Sequence, residues 1–151
     1  MALKVGDVIP KFTAKDANGN DFDSQTILGQ KPVVIYFYPK DDTSVCTTQA
    51  CSFRDQYEDF SNLGAEVIGI SSDSETSHQK FIKKYQLPFI LLSDSNKKIR
   101  KLFGVPPDLL GLISGRATYV VDKNGIITMI FDSRAGLDHI PKALQAIKKL
   151  I

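Results

Sequence analysis

Cys46 and Cys51 are the only thiols of the 151-residue chain, and they stand five residues apart in one segment, Thr43-Ser44-Val45-Cys46-Thr47-Thr48-Gln49-Ala50-Cys51. A cytosolic cysteine can serve as packing, as a metal ligand or as a nucleophile. Metal ligation is the weakest of these here. Two thiols need further ligands, and the two histidines, His78 and His139, lie on distant segments without a pair motif. A disulfide scaffold is also poorly served by two cysteines in a chain of this length. Asp41 and Asp42 resemble an acid–base pair, but adjacent loop carboxylates beside Lys40 read as solvated.

Helix geometry separates the two thiols. At about 100° per residue, Ala50, Phe53, Tyr57 and Phe60 fall within about 40° of Cys46, whereas Cys51 lies about 140° away. Cys46 therefore opens the buried stripe of a helix and Cys51 faces elsewhere. Five residues of helix also separate them by about 7.5 Å of rise. A disulfide needs Cα atoms within about 6.8 Å. The pair either never bonds or bonds only after the first turns unwind. Helix N-terminal amides favour an anion, so Cys46 is expected to ionise readily. Full ionisation gains only ~30-fold in reactivity at neutral pH. An enzyme needs further transition-state stabilisation, from the Thr43 hydroxyl, nearby amides and, most naturally, a guanidinium.

The elements that must position this segment are legible from pattern. Asn18-Gly19-Asn20 marks a small hairpin between Phe12 and Phe22. Val33-Val34-Ile35-Tyr36-Phe37-Tyr38 reads as a strand buried on both faces, stopped by Pro39. A helix follows over Val45–Leu63, with Thr43 or Ser44 as N-cap and Gly64 as its stop. Glu66–Ile70 is a second buried strand, which completes a right-handed βαβ unit. The pattern then predicts a helix over Ser74–Gln86 with His78 on its apolar stripe, a short strand Phe89–Leu92 and a short helix Asp94–Phe103. Gly104–Gly115 is a loop with glycines but no phosphate-binding pattern. Strands Ala117–Val121 and Ile126–Phe131 flank the turn Asp122-Lys123-Asn124-Gly125. The last helix, Leu137–Leu150, carries His139 as a first-turn surface residue. The order implies a single α/β domain with a mixed central sheet and helices on both faces.

Composition excludes several functions. Nineteen basic and 17 acidic residues leave a net charge of +2, which is no footprint for nucleic acid. Hydrophobic residues make up 42%, in runs too short for the roughly 20 residues of a membrane span. Neither terminus carries a recognisable targeting or lipidation signal. The expected compartment is reducing and cytoplasmic; a mature organellar form, such as a plastid one, would look the same.

The stretch Phe37-Tyr38-Pro39-Lys40-Asp41-Asp42-Thr43-Ser44-Val45-Cys46 resembles the active-site region of peroxiredoxins, whose pattern is Pro-x3-Thr-x2-Cys. The second cysteine five residues on resembles the bacterioferritin-comigratory and peroxiredoxin Q subfamily. Gly64–Ser71, Leu87-Pro88-Phe89, Leu92-Ser93-Asp94 and Gly115–Asp122 agree along nearly the whole chain. Gly104–Gly111 resembles the plant and cyanobacterial branch. One departure is plain: the subfamily usually reads Thr-Pro-Gly-Cys, and this chain reads Thr43-Ser44-Val45-Cys46. The stiffer Val45 bears on peroxide access and on the ease of unwinding.

The resemblance implies a thioredoxin-like fold with an N-terminal β-hairpin extension. It also implies a thiol-dependent peroxidase that reduces hydrogen peroxide and organic hydroperoxides. Cys46 would be the peroxidatic cysteine, which becomes a sulfenic acid. Pro39 would shield it, Thr43 would hydrogen-bond the peroxide, and Arg116 would hold the thiolate. Read without the resemblance, Arg116 is a surface arginine at a strand start. Cys51 would resolve the sulfenic acid as an intrachain disulfide, recycled by thioredoxin or a thioredoxin-like reductant. No cofactor and no metal are implied, and an intrachain pair needs no second subunit, so a monomer is expected. Two other readings compete. A disulfide oxidoreductase is disfavoured because that chemistry uses Cys-x2-Cys. A redox-sensing module would use the same cysteines but react about once, whereas an enzyme turns over.

Overall fold

A computed structural model of the chain describes residues 3–105, 115–132 and 139–150. Its centre is β3 (Val33–Phe37), five apolar residues that are all buried. Such a run suits a strand covered on both faces. It pairs in parallel with β4 (Glu66–Ser71) and antiparallel with β6 (Ala117–Val121), with Phe37 opposite both Ile70 and Ala117. Outward from β4 follow β5 (Ile90–Ser93), β1 (Thr13–Asp16) and β2 (Asp21–Asp23); outward from β6 lies β7 (Ile127–Asp132). The sheet order is β2-β1-β5-β4-β3-β6-β7. Strands β5-β4-β3-β6-β7 form a thioredoxin-like core, and the β1–β2 hairpin extends it by pairing antiparallel with β5.

Among the described residues, four α-helices cover this sheet: α1 (Ser44–Asn62), α2 (Glu75–Tyr85), α3 (Lys98–Phe103) and α4 (His139–Lys148). One face is filled by Cys46, Ala50, Phe53 and Phe60 of α1, Phe81 of α2, and Ile140, Ala143 and Ile147 of α4, packed on Val34, Tyr36, Val67 and Val120. The other face holds Ile99 and Phe103 of α3 with Phe12, Phe37, Ile70 and Tyr119. Two glycines have a clear task. Gly64, at φ +77°, ends α1 in the left-handed conformation that glycine adopts without cost. Gly69 lets Tyr36 lie over β4, since a Cβ there would come within 2.9 Å of the tyrosine oxygen.

Most expected elements are present with shifted ends. The ladder of β3 stops at Phe37, and Tyr38 already turns its N–H to Ile70 O at 3.1 Å. The largest shift is in α3, expected from Asp94 but starting at Lys98. Residues 94–97 close as a turn, with Lys97 at φ 61°, while the buried Asp94 carboxylate accepts the amides of Ile99 and Arg100 at 2.9 and 2.8 Å. Asp94 thus caps the helix from outside it. The expected start of the last helix at Leu137, and positions 106–114 of the expected loop, lie outside the described residues.

Candidate active site

The end of β3 delivers a short loop, Tyr38 to Thr43, that must hold the start of α1 in place. It does so through side chains bonded to α2. Asp41, expected to be solvated, is instead buried. It accepts hydrogen bonds from Tyr38 Oη at 2.5 Å and Ser77 Oγ at 2.8 Å, and His78 Nδ1 lies 2.7 Å away. His78, expected simply on a helix face, is fully buried, with Nε2 3.0 Å from Leu92 O. Burial and the Asp41 carboxylate together push the Tyr38 phenol well above the ordinary tyrosine range. Asp42, at φ 57°, accepts from Lys84 Nζ at 2.9 Å and Tyr85 Oη at 2.7 Å. Those bonds hold its carboxyl below its usual range.

Thr43 occupies the N-cap position of α1 in an extended conformation, but its side chain makes no capping bond. Its Oγ1 donates to Lys40 O at 2.8 Å, and its carbonyl accepts the Thr47 amide. The first turn holds no acidic residue either. The amides at this helix start are thus left to an anion rather than to a protein carboxylate.

Cys46 lies in that first turn, 2% exposed, at the head of the buried stripe. Arg116 reaches it from the strand next door. The β3–β6 ladder sets Ala117 opposite Phe37, so Arg116 follows at the end of the pairing, beside the loop. Its guanidinium is buried, and Nη2 donates to Cys46 Sγ at 3.3 Å. Nη1 donates to Gln49 Oε1. The surface-arginine reading of Arg116 is therefore wrong, because the ladder end carries the side chain inward. The guanidinium thus sets a positive charge and a hydrogen-bond donor against a sulfur at a helix N-terminus.

Among the described residues, Gln49 Nε2 and Arg116 Nε of this cluster are buried without a hydrogen-bond partner, as is Tyr36 Oη. Burial, and next the negative charge a Cys46 thiolate carries, push Tyr36 well above the ordinary tyrosine range. It keeps its proton. Pro39 is half-buried directly after Tyr38.

Cys51 is apart from this cluster. It is a free thiol like Cys46 but half-buried, and it opens on a surface cleft of about 430 Å³ lined by Thr47, Thr48, Ser52 and Asp55. Cys46 and Arg116 are thus brought together, Thr43 and Pro39 lie on the adjoining loop, and Cys51 faces the other way. Sequence reasoning missed Gln49, although a polar residue three positions after Cys46, on the inward side of the helix, was a usable signal. His139 also departs from expectation. It is fully buried, with Nδ1 2.6 Å from Thr118 Oγ1 and its ring edge-on to Phe131 at 4.8 Å. Among the described residues, no helix is long and apolar enough to cross a membrane.

Comparison with known proteins gives a consistent answer. Residues 5–130 match the AhpC/TSA family. The chain is 50% identical over 147 residues to chloroplastic peroxiredoxin Q of Sedum lineare, covering 95% of this chain and 78% of that protein. It is equally identical over 146 residues to its counterpart in Populus jackii, covering 96% and 68%. Among solved structures, peroxidoxin BcpB of Mycobacterium tuberculosis superposes with a TM-score of 0.91 at 32% identity, over 99% of both chains. The bacterioferritin comigratory protein of Xanthomonas campestris, solved in a study of its alkyl peroxide reduction activity, gives 0.83 at 27% identity, over 91% of this chain and 90% of that one.

Proposed function

We propose a catalytic cycle from one premise: the chain belongs to the AhpC/TSA family and is a peroxiredoxin-type thiol peroxidase. Cys46 is the peroxidatic residue. Its thiolate attacks the nearer oxygen of a hydroperoxide, the O–O bond breaks, and the leaving oxygen takes a proton to depart as water or an alcohol. The sulfur is oxidised to a sulfenic acid. Arg116 stabilises the thiolate and then the charge that develops on the departing oxygen. Thr43 Oγ1 already donates to Lys40 O, so its lone pairs are free to accept the O–H of the peroxide. Pro39 shields the sulfur from water.

Cys51 then attacks the Cys46 sulfenic acid, water leaves, and a Cys46–Cys51 disulfide forms. The helical rise forbids that bond in the intact helix, so the segment Val45–Ser52 unwinds first. A thioredoxin-type dithiol reduces the disulfide, approaching over the cleft at Cys51. Hydrogen peroxide and organic hydroperoxides are the substrates. The protein acts as a monomer in a single domain, since both cysteines belong to one chain. Its compartment is a reducing one, cytoplasmic or, as the peroxiredoxin Q relatives suggest, plastid.

The observation that carries this reading is the 3.3 Å contact between Arg116 Nη2 and Cys46 Sγ, both buried at a helix start. Peroxide consumption with thioredoxin and its reductase tests it. Cys46→Ser should abolish the reaction. Cys51→Ser should consume about one equivalent and stall. Full turnover by Cys46→Ser would remove the assignment.

A further inference from the structure

Arg100 is buried, lies in α3 on the opposite face of the sheet from Cys46, and has no part in the cycle above. Its guanidinium nevertheless reaches the end of the sheet on which the site is built. Nη1 donates to Gly115 O at 2.7 Å, and Nη2 donates to Tyr38 O at 3.2 Å. Its carbon lies 5.6 Å from the centre of the Phe37 ring.

The two carbonyls are not arbitrary. The β3–β6 ladder ends at the pair Phe37 and Ala117. Beyond it the chain must carry Pro39 and Thr43 on one side and Arg116 on the other. Tyr38 and Gly115 are the residues immediately before Pro39 and Arg116. Two carbonyls cannot bond each other, but a planar fork of donors can bridge them. Arg100 thus carries the spacing of β3 and β6 past the last ladder pair. The fork is itself held: the Arg100 amide and that of Ile99 bond the buried Asp94 carboxylate, and the Asp94 amide bonds Ser71 O at 2.8 Å at the end of β4.

We propose that Arg100 is a positioning residue for peroxide reduction: by bridging Tyr38 O and Gly115 O it sets the distance between the Arg116 guanidinium and the Cys46 sulfur. It touches neither substrate nor sulfur and acts through Arg116. The proposal rests on the assignment of Cys46 and Arg116 to the reacting site. A misplacement of about 1 Å in such a pair costs on the order of 100-fold in rate.

The test is a double-mutant cycle on the first half-reaction, the oxidation of reduced protein by hydrogen peroxide in stopped flow. Arg100→Met should lower the second-order rate constant at least tenfold. Arg100→Lys, which keeps the cation and stem without the fork, should lower it by a smaller factor of at least threefold. In an Arg116→Lys background both changes should lose their effect to within about twofold, since the group they position is gone. A merely structural role would give the same fold-loss in both backgrounds, and that result overturns the proposal. So does an unchanged rate in either folded variant. Collapse of the fold in both variants also counts against it, because Arg100 would then be a scaffold residue. If Arg116→Lys alone leaves the rate unchanged, the site assignment itself has failed, independently of Arg100.

Discussion

The two halves of α1 are held by different physics. From Phe53 onward the helix is locked into an aromatic core. The Phe53 ring stacks on Tyr36 at 4.5 Å and lies 5.9 Å from Phe60 and 6.2 Å from Phe89. Arg54 Nη1 donates to Tyr85 O at 2.8 Å, and Tyr57 Oη donates to Glu66 Oε1 at 2.9 Å. The half from Ser44 to Ser52 has buried residues at Cys46, Gln49 and Ala50, but its polar ties to the sheet converge on Arg116. Val45 is 44% exposed and Thr43 makes no side-chain cap. The loop before it is secured again by Asp41 and Asp42 on α2. Among the described residues, a segment with one main polar tie lies between two firm anchors. In the proposed cycle, oxidising the sulfur would remove the thiolate that Arg116 holds, and so would loosen the stretch that has to move.

This contrast can be broken in several places. The largest effect is expected at Phe53→Ala, which should lower stability by about 3–5 kcal/mol, read as a drop in unfolding midpoint. Arg116→Met is expected to slow peroxide oxidation of Cys46 by about 100-fold, near 3 kcal/mol in the barrier, as removal of a preorganised donor does. Stopped-flow oxidation measures it, and a loss below threefold would separate Arg116 from the chemistry. Val45→Gly should act only on the loose half. Glycine is a poorer helix former by a few tenths of a kcal/mol relative to valine. The step from sulfenic acid to disulfide should therefore quicken by about twofold.

The smallest effect concerns the anchor at Asp42. Its bonds to Lys84 and Tyr85 depress its pKa in the folded protein. A depressed carboxyl stabilises the fold at pH above its unfolded value and loses that contribution as pH falls through its folded value. Asp42→Asn should lower the melting temperature slightly at neutral pH, and the difference should vanish in acid. A difference that persists below the carboxylate range would mean that the anchor is not this ion pair.

The halves of α1 were unequally legible in the sequence. The period that buries Ala50, Phe53 and Phe60 was readable, and so was the obstacle between Cys46 and Cys51, because rise and rotation per residue belong to the helix itself. The resemblance named Pro39, Thr43 and Arg116. What could not be read were pairings made across the fold. Asp41 finds Ser77 and His78, Arg54 finds Tyr85, Arg100 finds Tyr38 and Gly115, and His139 finds Thr118, each across many residues of chain. A local pattern tells which face a side chain takes, not which distant group meets it there. That is why Asp41 looked solvated and His139 looked exposed. The late start of α3 has the same origin: its cap is the Asp94 side chain, and the intervening turn bends through Lys97.

In the proposed cycle, oxidation unwinds the first half of α1 and spares the second. Amide hydrogen exchange on reduced and disulfide-oxidised protein tests it directly. Protection at Thr47–Ser52 should be present in the reduced protein and lost on oxidation, while Arg54–Asn62 exchanges equally slowly in both. Equal protection of Thr47–Ser52 in the two states, or loss of protection along the whole helix, would contradict the account.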